Sequence, residues 1–230
     1  MLFHMFLCKN NNIDISYRDC WAKTDKSKSP LLMVFQHGIN VGAVASAIID
    51  FLPEKLRDFV PEGFTTLSAA HDVGKISIHF QTLCQSWSDK FGYSQPSNFV
   101  HHAIISQYTL EVAGVSEQLC QVVGYHHGSN HYDEKFDKRW QDQRIRYLDD
   151  LELEIGEKLP KNRIKLSLSN KYFLCGLLVL ADWVGSSEEF FPLDWNGSFL
   201  ESKIRAKEAL STLKLIHKDL PKSFDFFETF

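Results

Sequence analysis

Apolar residues recur at helical spacing along most of this chain. In the stretch from His37 to about Phe51, Val41, Val44 and Ile48 fall on one face of a helix with a period of 3.6 residues. Similar patterns predict a short helix that begins at Pro53 and longer ones at about 65–73, 101–113, 117–127, 142–156, 170–184 and 198–215. No pair of alternating strands is visible. The pattern therefore predicts an all-α fold, and we expect one domain over 1–230.

Small and polar residues mark where these helices begin and end. The expected terminators are Gly74, Gly114 and Gly128, and the expected N-caps are Ser116, Asn170 and Ser198. Residues 1–36 are expected to be irregular or weakly stranded, and 128–137 a polar loop. The 142–156 helix is rich in charge and is predicted to be exposed.

The richest chemistry lies at His71-Asp72, with Lys75 one turn later. Further metal-ligand residue types are spread along the chain, at His37, His102, His126, His127 and Asp182. Two divalent ions about 3.5–4 Å apart can activate water and clamp both oxygens of a displacement at phosphorus. Such a site needs imidazoles and a bridging carboxylate, and Asp72 suits the bridge.

Each of these residues also has an ordinary explanation. His102 alone would more often be a capping or core histidine, and Asp182 could be a buried hydrogen-bond acceptor. Lys75 could satisfy carbonyl groups at a helix end rather than face a phosphate. Their joint occurrence at helix ends or on apolar helices favours the metal site.

Composition narrows the function without identifying it. The net charge is −4 and 44% of residues are apolar, so the chain does not resemble a strongly cationic nucleic-acid binder. The basic clusters within 135–146 and 158–165 are expected to be solvated surface. The apolar run 172–184 is too short to cross a bilayer, and the N-terminus does not resemble a signal peptide. Five cysteines without CxxC spacing indicate reduced thiols, so we expect a cytoplasmic protein without a membrane partner.

Six motifs in order resemble the HD nuclease domain of the CRISPR type I effector nuclease-helicase, within the HD superfamily of metal-dependent phosphohydrolases. They lie at 21–24, 36–45, 70–75 with 80–81, 100–106, 125–128 and 180–186 with 190–192. The resemblance implies a helical bundle around two metal ions. One ion would be held by His37, His71, Asp72 and Asp182, and the second by Asp72 with His102, His126 and His127. Lys75 would act on the scissile phosphate.

The resemblance further implies an endonuclease for single-stranded DNA that uses iron, manganese, nickel or cobalt, with magnesium possible. Its partners would be a guide-RNA surveillance complex and a helicase, either in the same chain or separate. Segment 222–230 resembles the linker to that helicase. The alternative functions are an HD phosphohydrolase for a small nucleotide and a non-catalytic binding module. A cyclic-dinucleotide substrate is disfavoured because no Gly-Tyr-Pro follows His126-His127.

Overall fold

Helices dominate the structure, a computed structural model that describes residues 15–125 and 138–216. Within these ranges the α-helices are α1 (Val34–Phe51), α2 (Glu54–Arg57), α3 (Phe64–Ala69), α4 (Ile78–Gln81), α5 (Gln85–Phe91), α6 (His102–Val112), α7 (Glu117–Tyr125), α8 (Lys138–Ile155), α9 (Leu168–Gly185) and α10 (Phe199–Thr212). Short 3₁₀ helices occupy Tyr17–Asp19 and Val73–Lys75. The predicted all-α fold is confirmed.

A small β-hairpin is the exception to the helical pattern. Strand β1 (Trp21–Thr24) pairs antiparallel with β2 (Pro30–Met33). Both lie within 1–36, which was expected to be irregular or weakly stranded, but their pairing was not predicted. Each strand has only four residues, too few for a visible alternation. The turn between them places Lys28, not a glycine, at a positive φ of 61°, which removes the usual sequence signal of a hairpin.

Helix α1 forms the centre of the core and packs against α3, α9 and α10. Gly38 lets α1 approach α3 and α8 closely, because a Cβ there would lie 2.4 Å from the Tyr147 hydroxyl and 2.6 Å from the Ala69 carbonyl oxygen. In the described ranges α1 is also the helix that is long and apolar enough to cross a membrane. Because 78% of it is buried within the protein, its composition is that of a core helix.

Helix α8 corrects one prediction about surface charge. It was expected to be exposed, yet Tyr147, Leu151 and Arg144 are fully buried. The Arg144 guanidinium donates to the Ile76 carbonyl at 3.0 Å and to the Gln141 side chain at 2.7 Å. These bonds satisfy a cation that would otherwise be costly to bury.

Several helix ends also differ from the sequence prediction. Helix α3 ends at Ala69 rather than near Val73, and Ser167 rather than Asn170 caps α9. Pro53 is the N-cap of α2 instead of a first-turn residue. Ser198 is confirmed as the N-cap of α10, where it forms a capping box with Glu201.

Candidate metal centre

His71 and Asp72 lie in a buried turn between α3 and the 3₁₀ helix Val73–Lys75. Their exposed fractions are 0% and 2%. The His71 ring bonds through Nδ1 to the Ser68 carbonyl oxygen at 2.9 Å. A proton on Nδ1 makes this bond, so Nε2 is the ring nitrogen that can bind a metal once it has lost its own proton, which is how metal-ligating histidines are usually oriented.

Three helices bring side chains to this turn. His37, in the first turn of α1, places Nε2 3.1 Å from Asp72 Oδ2, and His71 Nε2 is 3.3 Å from the same oxygen. His102, at the start of α6, places Nε2 3.2 Å from Asp72 Oδ1. Asp182 of α9 is 3.5 Å from both the His37 and His71 Nε2 atoms. Three imidazoles and two carboxylates therefore meet in one buried cluster.

The donor atoms of this cluster fit a divalent transition metal. Ligand atoms of His37, His71 and Asp72 all lie within 4.8 Å of one another. Imidazole nitrogen with carboxylate oxygen suits zinc, iron, nickel, cobalt or manganese better than calcium. The two oxygens of Asp72 face different histidines, which is the arrangement a bridging carboxylate requires.

Two lysines border the cluster. Lys75 Nζ lies 2.7 Å from Asp72 Oδ2 and 5.2 Å from the centre of the Phe80 ring. Lys23 of β1 is half-buried and donates from Nζ to the Ser186 carbonyl oxygen at 2.6 Å. Burial lowers the pKa of Lys23, and the positive charge of Lys75 lowers it further. The cluster of histidines and carboxylates is therefore flanked by lysine side chains from two separate segments.

Charge and burial give the two inner histidines opposite protonation. Burial lowers the pKa of His37 to about 4, against the opposing effect of Asp72. For His71 burial acts in the same direction, but the charges of Asp72 and Asp182 outweigh it and raise the pKa to about 10. The pKa of Asp72 lies well below its usual value, because His71, Lys75 and His102 together overcome the effect of burial.

Close packing fixes the distance between the His71-Asp72 turn and α6. The Gly74 amide donates to the Ser106 hydroxyl at 2.9 Å. A Cβ on Gly74 would lie only 2.0 Å from the His102 carbonyl oxygen. Gly74 was predicted as a helix terminator. In the structure a glycine is needed there because a side chain would collide with α6.

The structure thus brings together five of the seven predicted ligands, together with Lys75. His126 and His127 lie outside the described residues. Sequence reasoning assigned no role to Lys23, Ser186 or the Ser68 carbonyl. Membership of the 21–24 motif was the feature of the sequence that could have drawn attention to Lys23. Its contact with Ser186 could not be predicted, because it depends on the tertiary fold.

Comparison with known proteins agrees with this architecture. The sequence model of the family described as "Cas3, HD domain" matches residues 21–191. The chain is 30% identical over 168 residues to the CRISPR-associated nuclease/helicase Cas3 of Streptococcus thermophilus, a match that covers 55% of this chain. The match spans only 18% of that relative's length.

Two solved structures share the fold. A crystal structure described as a CRISPR-associated protein gives a TM-score of 0.68 at 22% identity, covering 88% of this chain and 27% of that one. The Thermus thermophilus cas3 HD domain, crystallised in the presence of Ni²⁺, gives 0.64 at 24% identity and covers 86% and 91%. These likenesses show a common helical fold.

Proposed function

Because the chain belongs to the Cas3 HD-domain family, we propose that it is a metal-dependent nuclease that cleaves single-stranded DNA during CRISPR interference. The observation that carries this proposal is the convergence of three histidines and Lys75 on the buried carboxylate of Asp72, with Asp182 beside two of those histidines. A buried anion surrounded by imidazoles and a cation is built to hold metal ions next to a phosphate.

The proposed metal ligands divide into two sets that share Asp72. His37, His71 and Asp182 complete the first set. His102 belongs to the second, with His126 and His127, which lie outside the described residues. When bound, two such ions supply an activated water and a clamp on the phosphodiester oxygens. A transition metal fits the imidazole-rich set, and the Ni²⁺ named for the Thermus thermophilus domain supports that choice.

Lys75 is the proposed phosphate-facing residue. Its ammonium is held near the cluster by Asp72 and by the face of Phe80. Phe80 in turn packs edge-on against His102, with ring centres 5.4 Å apart. A fixed cation at this position stabilises negative charge that develops on the phosphate in the transition state.

A single-stranded substrate is supported by an exposed aromatic residue that neighbours Asp182 in the sequence. Trp183 directly follows Asp182 on α9 and is 72% exposed. An unpaired base can stack on such a ring, whereas the bases of a duplex are already stacked on each other. With a net charge of −4, contacts to the DNA backbone must come from local cations and bound metal.

The remaining parts of the proposal concern partners and location. The nuclease/helicase relative supports a helicase that works with this domain in the same chain or separately, on DNA opened by a guide-RNA complex. The four cysteines in the described ranges are free thiols, which fits the reducing cytoplasm.

A substrate panel tests the proposal. Protein loaded with Mn²⁺ or Ni²⁺ would be given a single-stranded oligonucleotide, the same sequence as a duplex, and a set of mono- and cyclic nucleotides. We expect cleavage of the single strand, with the duplex cut far more slowly. Turnover of a nucleotide with intact DNA would replace the proposal with the small-molecule phosphohydrolase.

A further inference from the structure

Lys23 lies at the junction of three segments that build the metal centre. It extends from β1, and β1 is fixed to the segment after Lys75 by Gln81. The Gln81 side chain accepts from the Trp21 amide at 3.0 Å and donates to the Trp21 carbonyl at 2.9 Å and to the Lys75 carbonyl at 2.9 Å. The start of β1 is therefore held firmly beside the His71-Asp72 turn.

From this anchored strand the Lys23 side chain reaches the C-terminal end of α9. Its ammonium donates to the carbonyl of Ser186, the C-cap residue of that helix, at 2.6 Å. The carbonyl groups at a helix C-terminus carry partial negative charge, so a cation there is favourable. The long separation in sequence, 163 positions, shows that this contact ties two distant parts of the fold.

Ser186 connects the Lys23 contact to the cluster of predicted metal ligands. Its hydroxyl donates to Asp182 Oδ1 at 2.9 Å, the same oxygen that lies 3.5 Å from the His37 and His71 Nε2 atoms. Its backbone amide also donates to the Asp182 carbonyl at 2.8 Å. Ser186 therefore orients the carboxylate of the predicted ligand.

We propose that Lys23 is a positioning residue that holds Asp182 in place for metal binding through Ser186. The inference rests on the metal centre of the function proposed above, but not on the identity of the nucleic acid. Hydrogen-bond partners behind a metal ligand set its direction, and removing one typically weakens metal binding or activity by about 10–100-fold.

Metal affinity of the DNA-free protein is the readout that tests this role. Mn²⁺ binding would be measured by calorimetry for the wild type, for Lys23→Met, which keeps the aliphatic stem, and for Ser186→Ala. Asp182→Ala identifies the binding step that depends on this carboxylate. Lys55→Met is the matched control, because Lys55 is exposed and belongs to α2, beyond the end of α1 opposite His37.

We expect Lys23→Met and Ser186→Ala each to weaken the Asp182-dependent step by about 10-fold or more, with the control unchanged. The double variant should be no weaker than Ser186→Ala alone, because both residues act through one serine. Thermal unfolding checks that each variant folds. If Lys23→Met does not fold, unchanged Mn²⁺ affinity in Ser186→Ala still overturns the inference, because Lys23 is proposed to act on Asp182 only through the Ser186 hydroxyl.

Two results would overturn the inference. Unchanged Mn²⁺ affinity in either folded variant would show that Asp182 does not depend on the Lys23–Ser186 contact. Unchanged affinity with a raised KM for DNA in Lys23→Met would show that Lys23 contacts the substrate instead. Weakened Mn²⁺ binding in a protein that cleaves no DNA would retain the inference and reject the proposed nuclease.

Discussion

Asp72 is the residue on which the charges of the site converge. Its Oδ2 faces His37, His71 and Lys75, and its Oδ1 faces His102. Such a carboxylate can serve two ions only while it carries its negative charge. Its low pKa, set by the neighbouring cations against the effect of burial, keeps it ionised throughout the neutral range.

Replacing this charge without changing its shape is the sharpest single substitution. Asp72→Asn should reduce metal-dependent cleavage by well over about 100-fold, because loss of a ligand exceeds the 10–100-fold cost of losing a partner behind one. The measurements are the cleavage rate and metal content by mass spectrometry. Asp149→Asn, at an exposed position of α8, is the control. An active, metal-loaded Asp72→Asn protein would refute the bridging role.

The protonation state of His71 determines how metal binding depends on pH. In the metal-free site the carboxylates hold its pKa near 10 despite burial, whereas burial holds that of His37 near 4. A ligand imidazole must be neutral, so at pH 7–8 an incoming ion displaces roughly one proton from His71 and none from His37. Metal affinity should therefore rise with pH between about pH 4 and 10, and it should fall more steeply below about pH 4, where His37 also takes up a proton.

Calorimetry in two buffers with different ionisation enthalpies measures this proton release directly. We expect the release to disappear in His71→Gln, which lacks the titrating ring. Metal binding that releases no proton between pH 7 and 8 would contradict the protonation assigned to His71.

At the scale of elements, the spacing of the His71-Asp72 turn from α6 depends on Gly74. Gly74→Ala would place Cβ 2.0 Å from the His102 carbonyl oxygen and 2.6 Å from the Ser106 amide nitrogen. Because the two segments must separate, we expect the free energy of unfolding to fall by about 1–3 kcal/mol. Metal binding should weaken as well, because His102 moves away from Asp72.

Gly176→Ala is the matched control for this prediction. Gly176 lies within α9, and a Cβ there would meet nothing within 4 Å. Because alanine is favoured over glycine inside a helix, this change should stabilise the protein by about 0.5–1 kcal/mol. Denaturant unfolding measures both changes, and equal effects in the two variants would contradict the packing argument.

The elements that sequence predicts well are those with a long apolar period. Helices α1, α6 and α10 occur close to where the spacing places them, because each has several turns and a marked end. The β-hairpin was missed because its strands are short and its turn uses Lys28 at positive φ. The burial of Arg144 was missed because its acceptor, the Ile76 carbonyl, lies 68 positions away.

For the candidate site, the sequence predicts the types of residue that take part but not their geometry. The types could be predicted, because His71-Asp72, His102 and Asp182 are donors that a metal needs. The local conformation could not, since His71 and Asp72 lie after α3 rather than on it. Lys23 and Ser186 escaped notice because a lysine and a serine gain meaning here only when β1 and the end of α9 meet.

In the whole molecule, the helical packing brings together ligands that lie as far apart in the sequence as His37 and Asp182, and it leaves the ring of Trp183, the residue after Asp182, exposed. Trp183→Ala should raise the KM for single-stranded DNA by roughly 5–150-fold, since stacking contributes about 1–3 kcal/mol per base, and should leave metal affinity unchanged. Tyr172→Ala, at a 71% exposed position of the same helix, is the control remote from Asp182. Equal effects of the two changes would remove Trp183 from the DNA path.

Cleavage of unpaired DNA at the ligand cluster is tested most directly with closed circles of single-stranded DNA, because only an endonuclease can open them. Purified protein would be stripped of metal and then supplied with Mn²⁺, Ni²⁺, Co²⁺ or Mg²⁺, beside Asp72→Asn treated in the same way. We predict that circles are cut only when a transition metal is restored and that Asp72→Asn leaves them intact. Circles that stay closed with every metal, or that open equally well with Asp72→Asn, would contradict the account.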